Sequence, residues 1–238
     1  MSMQSPEFPL PTQVAAVLFD LDGTLVHTAP DFSDVLQQLC LQAGIAAPSE
    51  QAVHATVSSG ARALVKLAFD REPGDPDFEP LLTELLERYF DRIQRTQSAL
   101  YPNMAALLAT LAGRDIPWGV VTNKPARFSD PLMRSLGLHE QCAVLICPDH
   151  VSRSKPDPEP LLLACKQLEV SPEQCIYVGD HPRDIDAGRA AGMHTVAAGW
   201  GYLPPEPPIE QWQADFIAGQ VIDLANHMGQ HEQHKEFS

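Results

Sequence analysis

The chain has 238 residues, a formal net charge of −15 and a hydrophobic fraction of 44%, and these values exclude several classes of protein. Nucleic-acid and anionic membrane surfaces attract clustered lysine and arginine, so the acidic balance argues against both as partners. No uninterrupted apolar stretch is long enough to span a bilayer. We therefore expect a globular protein with a small-molecule partner, present as a monomer or a homodimer.

The N-terminus and the cysteines indicate the compartment. Residues 1–13 have neither a basic start nor an apolar segment, which predicts that no signal peptide is present. The five cysteines are odd in number and include no C-x-x-C pair, as expected for reduced thiols that are mostly buried. Both features favour a cytoplasmic protein.

The first half of the chain begins with a strand and continues with helices. Aliphatic residues at 14–18 predict a buried strand, and helical periodicity follows it. Residues from about 30 to 100 are predicted to be helical throughout, with no strand. The predicted helices in this segment cover residues 32–40, 50–57, 61–69 and 78–97.

Strands and helices alternate in the second half of the chain, which predicts an α/β fold with a parallel sheet covered by helices on both faces. The tail at 228–238 is rich in His, Gln and Glu, and we expect it to be disordered. The predicted strands cover 116–122, 143–147, 175–178, 195–198 and 214–217, and the predicted helices cover 128–136, 159–168 and 184–191.

Two carboxylates follow the first strand directly, in the run Phe-Asp-Leu-Asp-Gly-Thr-Leu at 19–25. Burying charge without a partner is costly, so this placement indicates a cation or a reaction that needs the charge. Gly23 allows the chain to turn and leaves Asp20 and Asp22 at the carboxyl end of the strand, where open α/β sheets bind ligands. The pattern favours one carboxylate as nucleophile and metal ligand and the other as general acid/base.

Other polar residues follow later strands, and the carboxyl ends of parallel strands converge on one crevice. The assembled set contains several carboxylates, a hydroxyl and a lysine, and its oxygen ligands suit a hard cation such as Mg²⁺. These residues are Thr122, Asn123 and Lys124 after the second core strand, Lys155 after the third, and Asp180 and Asp184 after the fourth.

The motifs resemble those of the haloacid dehalogenase (HAD) superfamily phosphatases, in the same order and over almost the whole chain. Asp20 to Thr24 match the first motif, Thr122 the second, Lys155 the third, and Asp180 with Asp184 the fourth. Within the superfamily the chain looks like the phosphoglycolate phosphatase group, and it is most similar to that group's N-acetylmuramic acid 6-phosphate phosphatase branch. The local sequences that carry this finer resemblance are 29–31, 121–125, 147–151 and 154–158.

The resemblance implies a Rossmann-like core formed by 1–28 and 101–227, with an inserted α-helical cap of the C1 type at 29–100. It also implies phosphomonoester hydrolysis through an aspartyl-phosphate. Asp20 would be the nucleophile and Asp22 the general acid/base, while Thr122 and Lys155 would bind the phosphoryl group. The implied Mg²⁺ ligands are Asp20, the backbone carbonyl of Asp22, Asp180 and, in the outer shell, Asp184.

Substrate recognition is expected from the cap and from the second motif. Gly60 and Arg62 belong to a small flexible turn and the helix start that follows it, and Arg62 could bind a substrate carboxylate. Asn123 and Lys124 are further candidates for substrate binding. His27 and His181 depart from the residues usual at their positions, and their roles stay open.

Several functions remain compatible with these residues. The favoured substrate is a small carboxylated phosphate ester, N-acetylmuramic acid 6-phosphate first and 2-phosphoglycolate second. A phosphomutase of the same fold would use the same two aspartates, whereas a dehalogenase would have no use for Asp22. A phosphate-binding regulator or a receiver-like phosphoacceptor is a further alternative, and an intact general acid/base at Asp22 argues against both.

Overall fold

A computed structural model describes residues 11 and 13–233 of the protein. Within these residues six strands form a parallel sheet, as expected for the α/β fold predicted from the sequence. In their order across the sheet, the strands are β5 (Val144–Ile146), β4 (Trp118–Val121), β1 (Ala16–Phe19), β6 (Cys175–Gly179), β7 (His194–Ala198) and β8 (Phe216–Ala218). A separate antiparallel pair joins β2 (Val26–His27) to β3 (Ala99–Leu100).

Helices cover the sheet and also form an insert between β2 and β3. The insert contains α1 (Ala29–Ala43), α2 (Glu50–Thr56), α3 (Ala61–Phe69) and α4 (Phe78–Ile93), with a short 3-10 turn at Val57–Ser59. The other helices are α5 (Met104–Ala112), α6 (Ala126–Ser135), α7 (Glu159–Leu168), α8 (Pro182–Ala191) and α9 (Val221–Gln233). In the part of the chain described, none of these helices is long and apolar enough to cross a membrane.

Strand β1 lies in the middle of the sheet, and this position explains its sequence. It pairs in parallel with β4 on one side and with β6 on the other. Its four residues are fully buried, because Val17 and Phe19 pack into one hydrophobic cluster while Ala16 and Leu18 pack into a second cluster on the opposite face. The polar residues that follow β1 are therefore delivered to the centre of the sheet's carboxyl edge.

The chain enters and leaves the helical insert at one place. Strands β2 and β3, which flank the insert, pair through Val26 with Leu100 and through His27 with Ala99. Nearby, the fully buried carboxylate of Asp31 accepts hydrogen bonds from the backbone N–H of Gln97 at 2.8 Å and from the Ser98 hydroxyl at 2.6 Å. These hydrogen bonds link the start of α1 to the segment that follows α4.

The structure corrects the sequence-based prediction in three places. Residues 30–100 are not helical throughout, because Ala99–Leu100 is a strand; a two-residue strand has too little periodicity to be recognised. Helix α5 was not predicted, and its run of small and apolar residues lacks a polar face that would mark it. The tail predicted to be disordered from Met228 is helical as far as Gln233, and Met228 is buried against the core. Residues 234–238 lie outside the described residues.

We expect Asp31→Ala to lower the free energy of unfolding by about 3 kcal/mol, because it removes the acceptor of the Gln97 N–H and of the buried Ser98 hydroxyl, and one of the two carboxylates that pair with Arg92. Chemical denaturation would measure the change. Asp34→Ala is the matched control, since Asp34 pairs with the same Arg92 but its side chain is 35% exposed. The control should cost less than about 1 kcal/mol. Equal losses in the two variants would contradict a special role for Asp31.

Candidate active site

The residues that the sequence singled out meet at the carboxyl edge of the sheet. Asp20 follows β1, Thr122 follows β4, and Asp180 follows β6. Lys155 lies on the connection between β5 and α7, and Asp184 lies in the first turn of α8. All five are buried, with 0–5% of their surface exposed. The structure therefore brings together residues that are far apart in the sequence.

Lys155 is the buried cation at the centre of this group. Its ammonium Nζ lies 3.0 Å from Asp20 Oδ1 and 2.8 Å from Asp184 Oδ1. It also donates to the backbone carbonyl of Val121 at 2.9 Å and to the Tyr177 hydroxyl at 2.8 Å. Burial alone would lower the pKa of Lys155, but Asp184 and Asp20 outweigh burial and raise that pKa above its ordinary value. The lysine is therefore charged and fixed in place.

Three carboxylates beside Lys155 have the geometry of a cation site. Asp20, Asp180 and Asp184 each offer an oxygen, and these oxygens all lie within 4.8 Å of one another. Burial and the neighbouring charges of Asp20 and Asp184 raise the pKa of Asp180 well above its ordinary value. One ammonium does not balance three buried negative charges, and a hard divalent cation with oxygen ligands fits the remaining charge.

Glycines allow the backbone to pass close to these carboxylates. A Cβ on Gly23 would lie 2.0 Å from Asp180 Oδ2, and the φ of +82° at Gly23 is itself unfavourable for other residues. A Cβ on Gly179 would lie 2.3 Å from the Cβ of Asp184. The carboxylate of Asp180 is held by the backbone N–H of Tyr202 at 2.6 Å and by the Thr24 hydroxyl at 3.2 Å. The close packing of the backbone against Asp180 and Asp184 thus requires glycine at positions 23 and 179.

Asp22 lies at the edge of this cluster and contacts a second lysine. The Asp22 carboxylate accepts hydrogen bonds from the Thr28 hydroxyl at 2.6 Å and from Lys124 Nζ at 2.9 Å. Lys124 Nζ also donates to the Tyr89 hydroxyl at 2.8 Å and lies 5.3 Å from the centre of the Phe32 ring. Burial alone would lower the pKa of Lys124, but Asp22 and Tyr89 raise that pKa above its ordinary value. Lys124 therefore connects Asp22 to the helical insert.

Thr122 and Asn123 order the loop that carries Lys124. The Thr122 hydroxyl accepts a hydrogen bond from the backbone N–H of Lys124 at 3.1 Å. The Asn123 side chain donates to the carbonyl of Lys155 at 2.9 Å and accepts from the Lys155 N–H at 3.2 Å. Substrate binding by Asn123 stays a prediction, whereas the structure shows that Asn123 fixes the backbone of Lys155.

A cavity of about 500 Å³ lies between the sheet edge and the helical insert. The predicted substrate residues Gly60 and Arg62 line it, together with Asp20, Asp22, Thr122, Asn123 and Lys124. Arg62 Nη1 pairs with Glu79 Oε1 at 3.0 Å, and the Arg62 side chain is 58% exposed. The apolar part of the wall is formed by Phe32, Val57, Leu82, Leu86, Tyr89 and Phe128.

Neither of the two histidines of open role is among the residues that line this cavity. His27 Nδ1 is 2.8 Å from the Tyr202 hydroxyl, and its ring contacts His54. His181 caps α8: its Nδ1 accepts from the N–H of Arg183 at 3.2 Å, and its own N–H donates to Asp184 Oδ2 at 3.1 Å. Burial lowers the pKa of His181 to about 4, so it is neutral near pH 7.

Three side chains at the site were missed by sequence reasoning. Tyr177 supports Lys155, Tyr202 contacts both His27 and the N-terminus of α1, and Arg183 lines the cavity. Tyr177 lies in an apolar strand and Tyr202 in a proline-rich loop, where a tyrosine gives no signal of its own. Arg183 lies between two motif residues, Asp180 and Asp184, and this spacing is the one signal that could have indicated it.

Comparisons with known proteins agree with this fold and site. Residues 17–198 match the family model of the haloacid dehalogenase-like hydrolases. The N-acetylmuramic acid 6-phosphate phosphatase of Pseudomonas putida is 47% identical over 212 residues, which cover 89% of this chain and 95% of that protein. The phosphoglycolate phosphatase of Xanthomonas campestris pv. campestris is 40% identical over 210 residues, which cover 88% of this chain and 94% of that protein.

A solved structure supports the same relationship. The crystal structure of a predicted phosphoglycolate phosphatase from Haemophilus somnus 129PT superposes with a TM-score of 0.78 at 28% identity, covering 90% of this chain and 97% of that chain. The chain therefore belongs to the haloacid dehalogenase-like hydrolase family. Within that family it is an enzyme of the phosphatase type.

If the three carboxylates form a cation site, a divalent ion should stabilise the folded protein. At a concentration about 100 times its Kd, MgCl₂ should add about 2.7 kcal/mol and raise the midpoint of thermal unfolding. Asp180→Asn should remove most of this response. Asp22→Asn is the control, because it keeps the backbone carbonyl of residue 22, and it should respond like the parent protein. The same Mg²⁺ response in Asp180→Asn as in the parent would contradict the site.

Proposed function

We propose that the protein is a Mg²⁺-dependent phosphomonoester hydrolase that acts through an aspartyl-phosphate on a small carboxylated phosphate ester. The observation that supports this proposal best is the contact of Lys155 with both Asp20 and Asp184 beside Asp180. The group contains a nucleophilic carboxylate, a buried cation and further carboxylates for a metal. It opens onto a cavity large enough for an organic substrate.

The metal would be held by Asp20, the backbone carbonyl of Asp22 and Asp180, with Asp184 as an outer-shell ligand. When bound, the ion supplies positive charge that offsets the charge of the phosphoryl group. This local charge also explains how an acidic protein can take an anionic substrate.

Asp20 is the proposed nucleophile. Its carboxylate is held in one orientation, since Oδ1 accepts from the Leu21 N–H at 2.8 Å and contacts Lys155 at 3.0 Å. Attack of an Asp20 oxygen on phosphorus forms the aspartyl-phosphate and breaks the bond to the leaving alkoxide. Lys155 and Thr122 would bind phosphoryl oxygens and stabilise the charge that develops on them.

Asp22 is the proposed general acid/base. It would protonate the leaving alkoxide and then accept a proton from the water that hydrolyses the aspartyl-phosphate. Thr28 and Lys124 hold its carboxylate at 2.6 and 2.9 Å, which fixes its direction. Because Lys124 also contacts Tyr89 of the insert, the position of the insert and the environment of Asp22 are coupled.

The helical insert is the proposed cap of the site, with the cap at 29–100 and the core at 1–28 and 101–227. Two observations support this division. The insert joins the core through the paired strands β2 and β3, which places both connections together. Residues of α1, α3 and α4 also line the cavity above the acidic cluster. A cap at this place would exclude water while the phosphoenzyme forms.

N-acetylmuramic acid 6-phosphate is the substrate we favour. Relatives from Pseudomonas putida and Pseudomonas aeruginosa, 47% and 48% identical, carry the name of a phosphatase for that ester. The cavity of about 500 Å³ has an apolar wall and can hold a sugar ring with its acetamido and lactyl groups. Such an activity belongs to the recycling of cell-wall sugars. A cytoplasmic location agrees with this and stays a prediction.

The second candidate substrate is 2-phosphoglycolate, because a relative 40% identical is named a phosphoglycolate phosphatase. This molecule is also a carboxylated phosphate ester, but it is much smaller than a sugar phosphate. It would leave most of the apolar wall of the cavity without a contact, so we place it second.

Phosphate release from the two esters, measured side by side with Mg²⁺, tests the proposal. We expect kcat/KM for N-acetylmuramic acid 6-phosphate to exceed that for 2-phosphoglycolate by about tenfold or more, through contacts of the sugar with the cavity wall. Asp20→Asn should lower kcat on the order of 10³-fold or more while the protein remains folded. A preference for 2-phosphoglycolate would reverse the assignment of substrate, and activity retained by Asp20→Asn would contradict the aspartyl-phosphate.

A further inference from the structure

Three basic side chains line the cavity, and they differ in what they contact. Arg62 pairs with Glu79 at 3.0 Å, and Lys124 pairs with Asp22 at 2.9 Å. Arg183 also lines the cavity, and its charge partly offsets the rise that burial causes in the pKa of Asp184, but none of the ion pairs between described residues includes Arg183. The charge of Arg183 is therefore available to a ligand, whereas Arg62 and Lys124 would first have to leave their partners.

The guanidinium of Arg183 is also short of hydrogen-bond acceptors. Its Nη2 donates to the backbone carbonyl of Ser58 at 2.9 Å. Its Nε is buried and has no hydrogen-bond partner among the described residues. A guanidinium has five N–H donors, and a buried donor without an acceptor is unfavourable. The side chain is thus partly desolvated and lacks an anion that would satisfy it.

The shape of this unsatisfied group indicates what it would bind. Nε and Nη2 form one edge of the guanidinium, and the two N–H groups of such an edge match the two oxygens of a carboxylate. Nη2 donates to the carbonyl of Ser58, while Nε has no acceptor in the part of the chain described. A carboxylate in place of that carbonyl would make two charge-assisted hydrogen bonds and would satisfy Nε.

The Arg183 side chain contacts the insert, not the residues proposed to act on the phosphoryl group. Arg183 lies at the start of α8, one residue before Asp184, so its backbone is fixed by the helix that carries this one member of the acidic cluster. Its side chain extends to Ser58 in the 3-10 turn of the insert, and this turn ends at Gly60. A ligand bound there would contact the core and the insert at once.

We propose that Arg183 is the specificity-determining residue that binds the carboxylate of the substrate, in place of the Arg62 that the sequence suggested. The inference rests on the proposed function, because it requires a carboxylated phosphate ester. The phosphoryl group of that ester lies at Asp20 and Lys155, and its carboxylate lies at the boundary between α8 and the insert.

Two sugar phosphates that differ in one group provide the test. N-acetylmuramic acid 6-phosphate carries a lactyl ether with a carboxylate, and N-acetylglucosamine 6-phosphate lacks it. In Arg183→Gln we expect kcat/KM for the first ester to fall roughly 10- to 100-fold, mainly through KM, with little change for the second. Arg183→Lys should recover only part of the loss, since a lysine lacks the planar pair of donors. Arg189→Gln is the control, because Arg189 lies exposed on the same helix.

Each outcome of this test separates the inference from its alternatives. Equal losses for both esters in Arg183→Gln would show a structural or phosphate-binding role and would overturn the inference. A loss of kcat/KM for the carboxylated ester alone in Arg62→Gln, with none in Arg183→Gln, would show that Arg62 of the insert binds the carboxylate. That result would also overturn the inference. Absence of phosphate release from both sugar esters by the parent enzyme would instead overturn the assignment of N-acetylmuramic acid 6-phosphate as substrate, and the inference with it.

Discussion

The buried ion pairs of Lys155 are the interaction on which the rest of the site depends. An ammonium with no exposed surface is stable there because two carboxylates, a backbone carbonyl and a tyrosine hydroxyl surround it. Removing one partner of such a group leaves an uncompensated charge in a low-dielectric interior, which costs several kcal/mol. The elements that carry or precede these partners must therefore keep their positions around Lys155; they are β1, β4, β6 and α8. The same arrangement orients the carboxylate of Asp20, the proposed nucleophile.

The fold places this charge where the backbone can approach it closely. Residues without a side chain, Gly23 and Gly179, let the turn after β1 and the end of β6 pack against Asp180 and Asp184. Three buried carboxylates with one lysine retain an excess of negative charge, which a divalent cation would offset. The negative charge that is unfavourable in the isolated protein is therefore the charge that would bind a metal ion.

Much of this arrangement could be predicted from the sequence, because the chemistry lies in short motifs after apolar strands. Asp20, Lys155, Asp180 and Asp184 are recognisable by residue type and by their position after a strand, and the structure brings them together. The paired strands β2 and β3 could not be predicted, since two residues carry no periodicity and their partners are more than 70 residues apart. The places of Tyr177 and Arg183 at the site were missed for a similar reason, because each depends on a contact with a distant part of the chain.

Trapping the phosphoenzyme would show whether the phosphoryl group passes through Asp20, as we propose. Enzyme mixed with substrate and Mg²⁺ would be quenched in acid within one turnover, digested, and examined by mass spectrometry. We expect a phosphoryl adduct on the peptide that contains Asp20. With an aryl phosphate, whose leaving group needs no acid, Asp22→Asn should hold a larger steady-state amount of adduct, because it lacks the base for the hydrolytic step. Turnover with no adduct, or an adduct on a different residue, would rule out an aspartyl-phosphate at Asp20.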